Sequence, residues 1–234
     1  MNRLFSTVSP AVILLVLFPL CASSQKTSKR TKAEIPVSEA DDCSLTFSGS
    51  ARRDVKLRTA QDGSHYESVN NGDSLTVAEW LKMTCSQFDP KVIEVKDVPI
   101  PGIETQKVSL QGYLVAARFE NGAKGDYDIH AEISDNPNWP SPHVIVEVPP
   151  GEAYCSARKE LWSLVKSDLL PGKNTAIPSS PPQVKVTGYV FLDTAHGGSH
   201  FCTANGGRGI QKNGVSAVKG LWEIHPVLEV SESK

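Results

Sequence analysis

Apolar and polar residues alternate in five stretches of the second half of the chain, the pattern of a β-strand with one buried face. The five stretches are KVSLQGYLVAARFE (107–120), GDYDIHAEISD (125–135), HVIVEVP (143–149), QVKVTGYVFLDTA (183–195) and GLWEIHPVLEV (220–230). Between the third and the fourth, apolar residues recur at helical spacing over 152–170. This order is that of the OB-fold, a partly open five-stranded Greek-key barrel. The pattern therefore predicts a mostly β fold, an OB-fold-like barrel with one helix between strands 3 and 4.

Two glycines inside strands favour the barrel. Gly112 and Gly188 each precede a tyrosine in the middle of the first and the fourth predicted strand. Glycine inside a strand usually marks a bulge or a sharp bend, which a small barrel needs. The pattern thus favours a barrel over an open sheet, and the single helix in its slot argues against the main alternative, a sandwich.

The residues before the barrel predict a small α+β unit. Thr76 and Glu79 form a capping box in front of WLKMTC, which indicates the start of a helix. Upstream, residues 54–59 alternate weakly as a strand, and NNGD at 70–73 is typical of a turn. The expected organisation is a signal peptide, a flexible leader, this small N-terminal unit and the barrel, over residues 1–24, 25–42, 43–100 and 101–234.

The N-terminus has the features of a signal peptide. Arg3 provides a positive charge, AVILLVLFPL is an apolar core, and Ala22 and Ser24 are the small residues that a signal peptidase needs. The apolar core is short for a membrane span, which needs about 20 residues. We therefore expect cleavage before Gln25 and a secreted or periplasmic protein whose mature form has no membrane span.

Five cysteines occur in the chain, and Cys21 leaves with the signal peptide. Four cysteines in an exported chain indicate two disulfide bonds, with three possible pairings. No two of them form the C-x-x-C pair of a zinc ribbon. We expect the bonds Cys43–Cys85 and Cys155–Cys202, because each then lies inside one predicted domain.

Several stretches resemble a group of exported bacterial proteins of unassigned function. The resemblance is carried by SLQGYLVAARFE, GDYDIHAEISDNPNW, HVIVEVPPGEAYCSARKELW, VKVTGYVFLDTAH and GLWEIHPVLEV. It continues through RRDVKLRTAQDG and NGDSLTVAEWLKMTC and so covers most of the mature chain. The resemblance implies export and the extent of the domains, and it implies no mechanism.

The second, third and fifth strands of an OB barrel lie side by side, so the polar residues that alternate with their apolar ones are expected to share the outer face. These polar residues are Asp128, His130, Glu132, His143, Glu147, Glu223 and His225, while Asp193 and His196 follow the fourth strand and His200 lies in the next loop. Five of the six histidines of the chain thus belong to one region.

Three interpretations of this polar face are open. Zinc or another divalent metal needs three or four His, Asp or Glu ligands, and the candidates are His130, Glu147 and His225. The same region offers His130, Glu132 and His225 as candidates for acid–base catalysis, since histidine titrates near neutral pH. The structural alternative is a solvated strand face, on which such polar pairs contribute about 0.2–1 kcal/mol each.

A ligand surface is the remaining possibility. The glycine-rich loop 194–219 occupies a position that OB-folds use to bind oligonucleotides or oligosaccharides, although a bond from its Cys202 to Cys155 would make it a structural loop. Trp139 could stack on a base or a sugar, or close the barrel mouth. For Asp193, a bond to nearby backbone amides is the structural alternative. The candidate ligand surface comprises Asp128, Trp139, His143, Asp193, His196, Arg208 and Glu223.

The sequence therefore supports three hypotheses. The leading one is an exported ligand-binding or interaction module that uses the face of strands 2, 3 and 5 and the loop 194–219, with an oligosaccharide, oligonucleotide or protein as partner. The alternative is a metal-dependent hydrolase acting on phosphodiesters, and the third is a structural module of the envelope. The formal net charge of −2 argues against binding to nucleic acid by charge alone, which needs a dense basic surface.

Overall fold

Five long strands and several short ones carry the fold. The computed structural model describes residues 36–59, 74–87, 97–121, 125–196 and 208–233. The strands are β1 (Ser74–Leu75), β2 (Lys107–Phe119), β3 (Ile129–Ser134), β4 (His143–Val148), β5 (Thr175–Ala176), β6 (Gln183–Leu192), β7 (Gln211–Lys212), β8 (Val215–Ser216) and β9 (Trp222–Glu232). The α-helices are α1 (Arg53–Lys56), α2 (Val77–Gln87) and α3 (Cys155–Val165).

The long strands close into a barrel. They pair in the order β2, β3, β4, β9 and β6, and β6 pairs back to β2. Neighbours are antiparallel except β4 and β9, which are parallel and meet at Val146 and Ile224. Helix α3, extended by a 3-10 turn at each end, lies between β4 and β6 in the chain. The prediction of a mostly β, OB-fold-like barrel with one helix between its third and fourth strands is confirmed.

The barrel bends where the sequence places glycine inside strands. The pairing of β6 with β9 shifts register on both sides of Gly188, where a side chain would collide with the carbonyl oxygen of Pro226. At Gly112 a β-carbon would lie 2.7 Å from the carbonyl oxygen of Ser134, so two backbones approach closely there as well. The irregularity opposite Gly188 also accommodates Pro226, which has no amide hydrogen for the ladder.

The N-terminal residues follow the predicted pattern at α2 but not at 54–59. Thr76 and Glu79 make the predicted reciprocal cap, and Asp135 accepts hydrogen bonds from the next two amides of α2. The prediction of a strand at 54–59 is wrong, because α1 lies there. Its flanking residues Arg52 and Arg58 have positive φ and hold the turn through hydrogen bonds to distant parts of the chain, which local alternation does not reveal. The predicted turn at 70–73 lies outside the described residues.

The apolar core includes residues from both the barrel and the segment before it. Trp162 of α3 and Trp222 of β9 are almost fully buried in this core, and so is Trp80 of α2. Ala40 is also fully buried and follows a 3-10 turn at the end of the predicted leader. Burial of each large apolar side chain contributes roughly 1.5–3 kcal/mol, so α2 is stabilised mainly by this packing.

The predicted disulfide pairing is wrong. Cys43 is bonded to Cys155 at the start of α3, which rules out the expected bonds Cys43–Cys85 and Cys155–Cys202. We expected each bond to lie inside one predicted domain. That expectation fails because Cys43, in the predicted N-terminal unit, is bonded to Cys155 in the barrel. Cys85 is also disulfide-bonded, and Cys202 lies outside the described residues.

The bond Cys43–Cys155 is compatible with an extracellular protein. Among the described residues, no helix combines the length and the apolar character that crossing a bilayer requires. The signal peptide at 1–24 lies outside the described residues, and export stays a prediction, as do the domain boundaries.

Replacing both Cys43 and Cys155 with alanine is expected to lower the free energy of unfolding by about 2–5 kcal/mol, because the bond closes a long loop in the unfolded chain. The two cysteines are 112 positions apart. Urea unfolding of the variant and the wild type measures the loss. Peptide mapping of the non-reduced protein that found Cys43 joined to Cys85 would contradict the structure.

Candidate functional site

The polar residues predicted on strands 2, 3 and 5 lie together on β3, β4 and β9, but they are not solvated. Glu132, His143 and His225 are fully buried, and His130 is 4% exposed. The structural alternative of a solvent-exposed strand face is therefore wrong. These residues point away from the apolar core and form a second, charged layer, the polar face, which comprises Asp128, His130, Glu132, His143, Glu147, Glu223 and His225.

One cover over the polar face is the segment 47–58. Arg52 reaches Glu104 with two hydrogen bonds of 2.6 Å, and it also donates to the carbonyl oxygen of Leu192 at the end of β6. Arg58 donates to the carbonyl oxygens of Val190 and His225, both at 2.9 Å. These bonds fix α1 against the barrel and so place the side chain of Lys56 over the polar face.

The second cover is the segment 208–218, which contains the short hairpin of β7 and β8. Its Ile210 amide donates to Glu132 Oε1, and the amide of His143 donates to the carbonyl oxygen of Ala217. Gly209 has a φ of 83° and passes so close that a β-carbon would lie 2.6 Å from Glu132 Oε1. The segment 208–218, called the lid below, is therefore a part of the predicted ligand loop that covers the polar face.

His130 lies between two carboxylates. Its Nδ1 is 3.0 Å from Glu147 Oε1 and its Nε2 is 3.5 Å from Glu132 Oε1. Burial alone would lower the pKa of His130, but the hydrogen bonds with both carboxylates raise it to about 9. His130 is therefore an imidazolium at neutral pH, suited to hold two carboxylates in position.

Glu132 is the centre of the inner part of this network. Its Oε2 accepts a hydrogen bond from His143 Nδ1 at 2.7 Å, and its Oε1 accepts from the amide of Ile210. Burial opposes ionisation, yet the hydrogen bonds from His130 and His143 lower the pKa of Glu132 to about 2. Glu132 is thus a structural anion that joins β3, β4 and the lid.

His225 belongs to a different arrangement. Its Nε2 is 3.0 Å from Asp128 Oδ2 and 3.4 Å from Glu147 Oε2. Burial and the nearby Lys56 ammonium lower the pKa of His225 to about 3, so the ring is neutral at neutral pH. Burial and the charges of Asp126 and Glu147 raise the pKa of Asp128 well above its ordinary value.

Glu147 connects the two arrangements. Its Oε1 faces His130 and its Oε2 faces His225, while Lys56 Nζ lies 3.8 Å from Oε2 and 3.4 Å from Asp126 Oδ2. Burial opposes the charge of Glu147, but Lys56 and His130 hold the pKa of that carboxyl well below its usual range. Of the three predicted metal ligands, Glu147 thus contacts both His130 and His225.

Arg208 forms a third group with carboxylates from two elements. Its Nη2 donates to Asp193 Oδ2 at 2.8 Å and also to Glu223 Oε2. Its Nη1 donates to the carbonyl oxygen of Gly220. Asp193 also contacts His196, and its Oδ1 accepts a hydrogen bond from the Ala195 amide, as the turn interpretation of Asp193 predicts. Burial opposes the charge of Asp193, and the partners His196 and Arg208 lower its pKa to about 2.

A cavity of about 430 Å³ opens above these groups. Its lining includes residues 48–51 together with His130 of β3 and Ile145 and Glu147 of β4. The charged and titratable residues of its lining are Lys56, Arg118, Glu120, Asp126, His130, Glu147, Asp193, His196 and Arg208. Of the predicted ligand surface, Asp193, His196 and Arg208 therefore line the cavity, whereas Asp128, His143 and Glu223 are buried and do not line it.

Trp139 does not belong to this cavity. Its ring packs edge-on against the ring of His143, with centroids 4.4 Å apart, and its Nε1 donates to the carbonyl oxygen of Val215. Trp139 therefore packs against the lid, and His200 lies outside the described residues.

Several residues of the site were not predicted from the sequence. Lys56, Arg118, Glu120 and Asp126 line the cavity, and Arg52 anchors the cover. No spacing or motif distinguishes these residues from ordinary surface charges. The excess of acidic groups on the predicted face was the one indication in the sequence that cations from other segments lie nearby, since buried carboxylates need such partners.

Comparisons with known proteins do not identify the chain: no family model, no curated protein and no solved structure matches it. The closed barrel is compatible with the OB-fold, and the resemblance to a group of exported proteins stays a prediction.

Replacing Glu132 with alanine is expected to destabilise the protein by about 3 kcal/mol, because it removes one of the two carboxylates that face His130 and leaves the polar atoms of His143 and Ile210 without their partner. Chemical denaturation measures the change. The matched control is Glu160→Ala on the exposed side of α3, which should change the free energy of unfolding by less than about 0.5 kcal/mol. Equal effects of the two variants would contradict the assigned role of Glu132.

Stability should also depend on pH in two separate windows. The pKa of Glu132 is lowered to about 2, so its contribution is complete above about 4.5 and is lost as the pH falls towards 2. The pKa of His130 is raised to about 9, so its contribution is complete below about 6.5 and is lost as the pH rises through 9. Unfolding free energies measured across both windows should show both losses in the wild type.

Two uncharged variants assign these windows. Glu132→Gln should reduce the loss in the acid window, to which Asp193 and Glu147 also contribute, and His130→Gln should reduce the loss in the alkaline one. If the wild type and the His130→Gln variant lost stability equally between pH 6.5 and 9, the raised pKa of His130 would be refuted.

Proposed function

We propose that this chain is an exported ligand-binding module that holds a small, hydroxyl-rich ligand, such as a sugar, in the cavity over β3 and β4. The observation that carries the proposal is the cavity itself, whose lining has side chains of both charges. Its volume of about 430 Å³ is within the range of small-molecule sites, roughly 300–1,000 Å³. It lies on the strand face that OB-folds use for binding.

The charge of the lining favours a sugar over a nucleic acid. The cations Lys56, Arg118 and Arg208 are accompanied by carboxylates, among them Glu120 and Asp193. Nucleic acid binding depends on an excess of Lys and Arg, which this lining does not provide among its described residues. A hydroxyl group both donates and accepts hydrogen bonds, so a ligand rich in hydroxyls can use cations and carboxylates together.

The ion pairs of the lining hold it in position before a ligand arrives. Arg118 Nε donates to Glu120 Oε1 at 2.8 Å, Arg208 donates to Asp193 at 2.8 Å, and His130 lies 3.0 Å from Glu147. Ordered side chains lose less conformational entropy on binding. The cavity is therefore suited to specific recognition of one small ligand.

Other partners named from the sequence stay predictions. An oligonucleotide or a protein could use the rim of the same face, and a structural envelope module would need no small ligand. The metal-dependent hydrolase requires a bound cation beside the cavity. The geometry that favours it is the group of Asp128, Glu147 and His225, whose ligand atoms lie within 4.8 Å of one another.

The binding proposal can be tested by filling the cavity. Ala195 lines it, is exposed, and contacts Asp193 through its amide, which a substitution preserves. A saccharide array identifies a ligand, and calorimetry then compares the wild type with Ala195→Trp. We expect the tryptophan to weaken binding at least about tenfold, or 1.4 kcal/mol.

The control carries the same substitution elsewhere. Ala153→Trp adds a tryptophan at an exposed position before α3 that does not line the cavity, so binding should be unchanged. Equal affinity of the Ala195→Trp variant and the wild type would show that a ligand binds somewhere other than the cavity. No saccharide bound above background would favour the structural module.

A further inference from the structure

Three potential metal ligands meet under the cavity. Asp128 precedes β3, Glu147 belongs to β4 and His225 belongs to β9, so the barrel brings them together from three places in the chain. One ligand atom from each lies within 4.8 Å of the other two. Glu147 and His225 lie on the neighbouring strands β4 and β9, and Asp128 is the residue immediately before β3, so the barrel fixes two of the ligands and the start of a strand holds the third.

The spacing of the atoms fits a single ion. His225 Nε2 lies 3.0 Å from Asp128 Oδ2 and 3.4 Å from Glu147 Oε2. Ligands of a tetrahedral zinc ion with bonds of about 2.1 Å are about 3.4 Å apart. These two separations are close to that value and the third is within 4.8 Å, so small side-chain movements would suffice for coordination.

Hydrogen bonding within the group is incomplete. Asp128 is fully buried, and its Oδ1 has no hydrogen-bond partner among the described residues. His225 Nε2 faces two carboxylate oxygens, but a neutral imidazole nitrogen carries at most one hydrogen and cannot satisfy both. An unpaired buried carboxylate oxygen is costly, and a bound cation would remove that cost.

We infer that Asp128, Glu147 and His225 form a site for a divalent transition-metal ion, with Zn²⁺ as the preferred ion. One imidazole and two carboxylates suit Zn²⁺ better than Ca²⁺, which takes six to eight oxygen ligands, or Mg²⁺, which keeps several waters. Compared with the set of ligands expected from the sequence, this site contains Asp128 in place of His130. It extends beyond the proposed sugar binding and does not depend on it.

Glu147 provides the route to the site. It lines the cavity and its side chain is 14% exposed, whereas Asp128 and His225 lie behind it. An ion that enters from the cavity would meet Glu147 first. Lys56 Nζ, 3.8 Å from Glu147 Oε2, is the competing cation.

The test is calorimetric titration of the chelator-treated protein with Zn²⁺, with thermal unfolding as a second readout. We expect one site per chain, and a rise in the melting temperature with Zn²⁺. The variants Asp128→Asn and His225→Gln, which each replace an ionisable ligand with an amide, should each weaken binding by about tenfold or more. Lys56→Gln should strengthen it, because it removes the competing charge, and this gain does not depend on the stability of the other variants.

Two control variants decide between possible sites. His196→Gln, at the cavity rim, should leave the affinity unchanged, and His130→Gln should have a much smaller effect than His225→Gln. Loss of binding in His130→Gln with wild-type affinity in Asp128→Asn would overturn the assignment in favour of the set expected from the sequence. Absence of Zn²⁺ binding to the wild type, or wild-type affinity in both Asp128→Asn and His225→Gln, would overturn the site altogether, while sugar binding could still be tested without metal.

Discussion

The ion pair between Arg52 and Glu104 is the interaction on which the arrangement of the site depends. Both residues are buried, and Glu104 also accepts hydrogen bonds from the amides of Ile100 and Leu192. The pair therefore joins three segments: the chain before the barrel, the connection into β2 and the end of β6. Removing one partner of such a pair leaves an uncompensated buried charge, which costs about 3–5 kcal/mol. Without it, the segment that carries Lys56 would lose the anchor of Arg52 and keep the anchor that Arg58 provides.

That segment changes the character of the barrel. An OB-fold-like barrel has one apolar core, but here a second layer of charged groups is buried on the outer face of β3, β4 and β9. Such a layer is stable only if each charge has a partner. His130, Glu132 and Glu147 satisfy one another, and Arg208 joins Glu223 to Asp193. Within this layer, Asp128 Oδ1 has no hydrogen-bond partner among the described residues.

The predictions that succeeded and those that failed differ in the range of the interactions behind them. The alternation in the five long strands, the helical spacing of α3 and the capping box at Thr76 each reflect local burial or local hydrogen bonds, and all three were predicted. The strand at 54–59 was wrong because α1 is held by contacts of Arg52 and Arg58 with remote carbonyl groups. The disulfide pairing was wrong because Cys43 is bonded to Cys155, a residue remote in sequence at the start of α3. The sequence predicted which residues form the polar face. It did not predict that they are buried, because the segments that cover the face are remote in sequence.

By itself, the sequence determined the barrel, the position of its helix and the group of polar residues on adjacent strands. Strand periodicity is a local property, and the OB-fold order then places β3, β4 and β9 side by side. The tertiary structure decided that this polar face is buried, that Lys56 and Arg208 supply counter-charges to it, and that Asp128 contacts His225. These outcomes depend on which distant segment packs over the face, and no local pattern of residues encodes that choice.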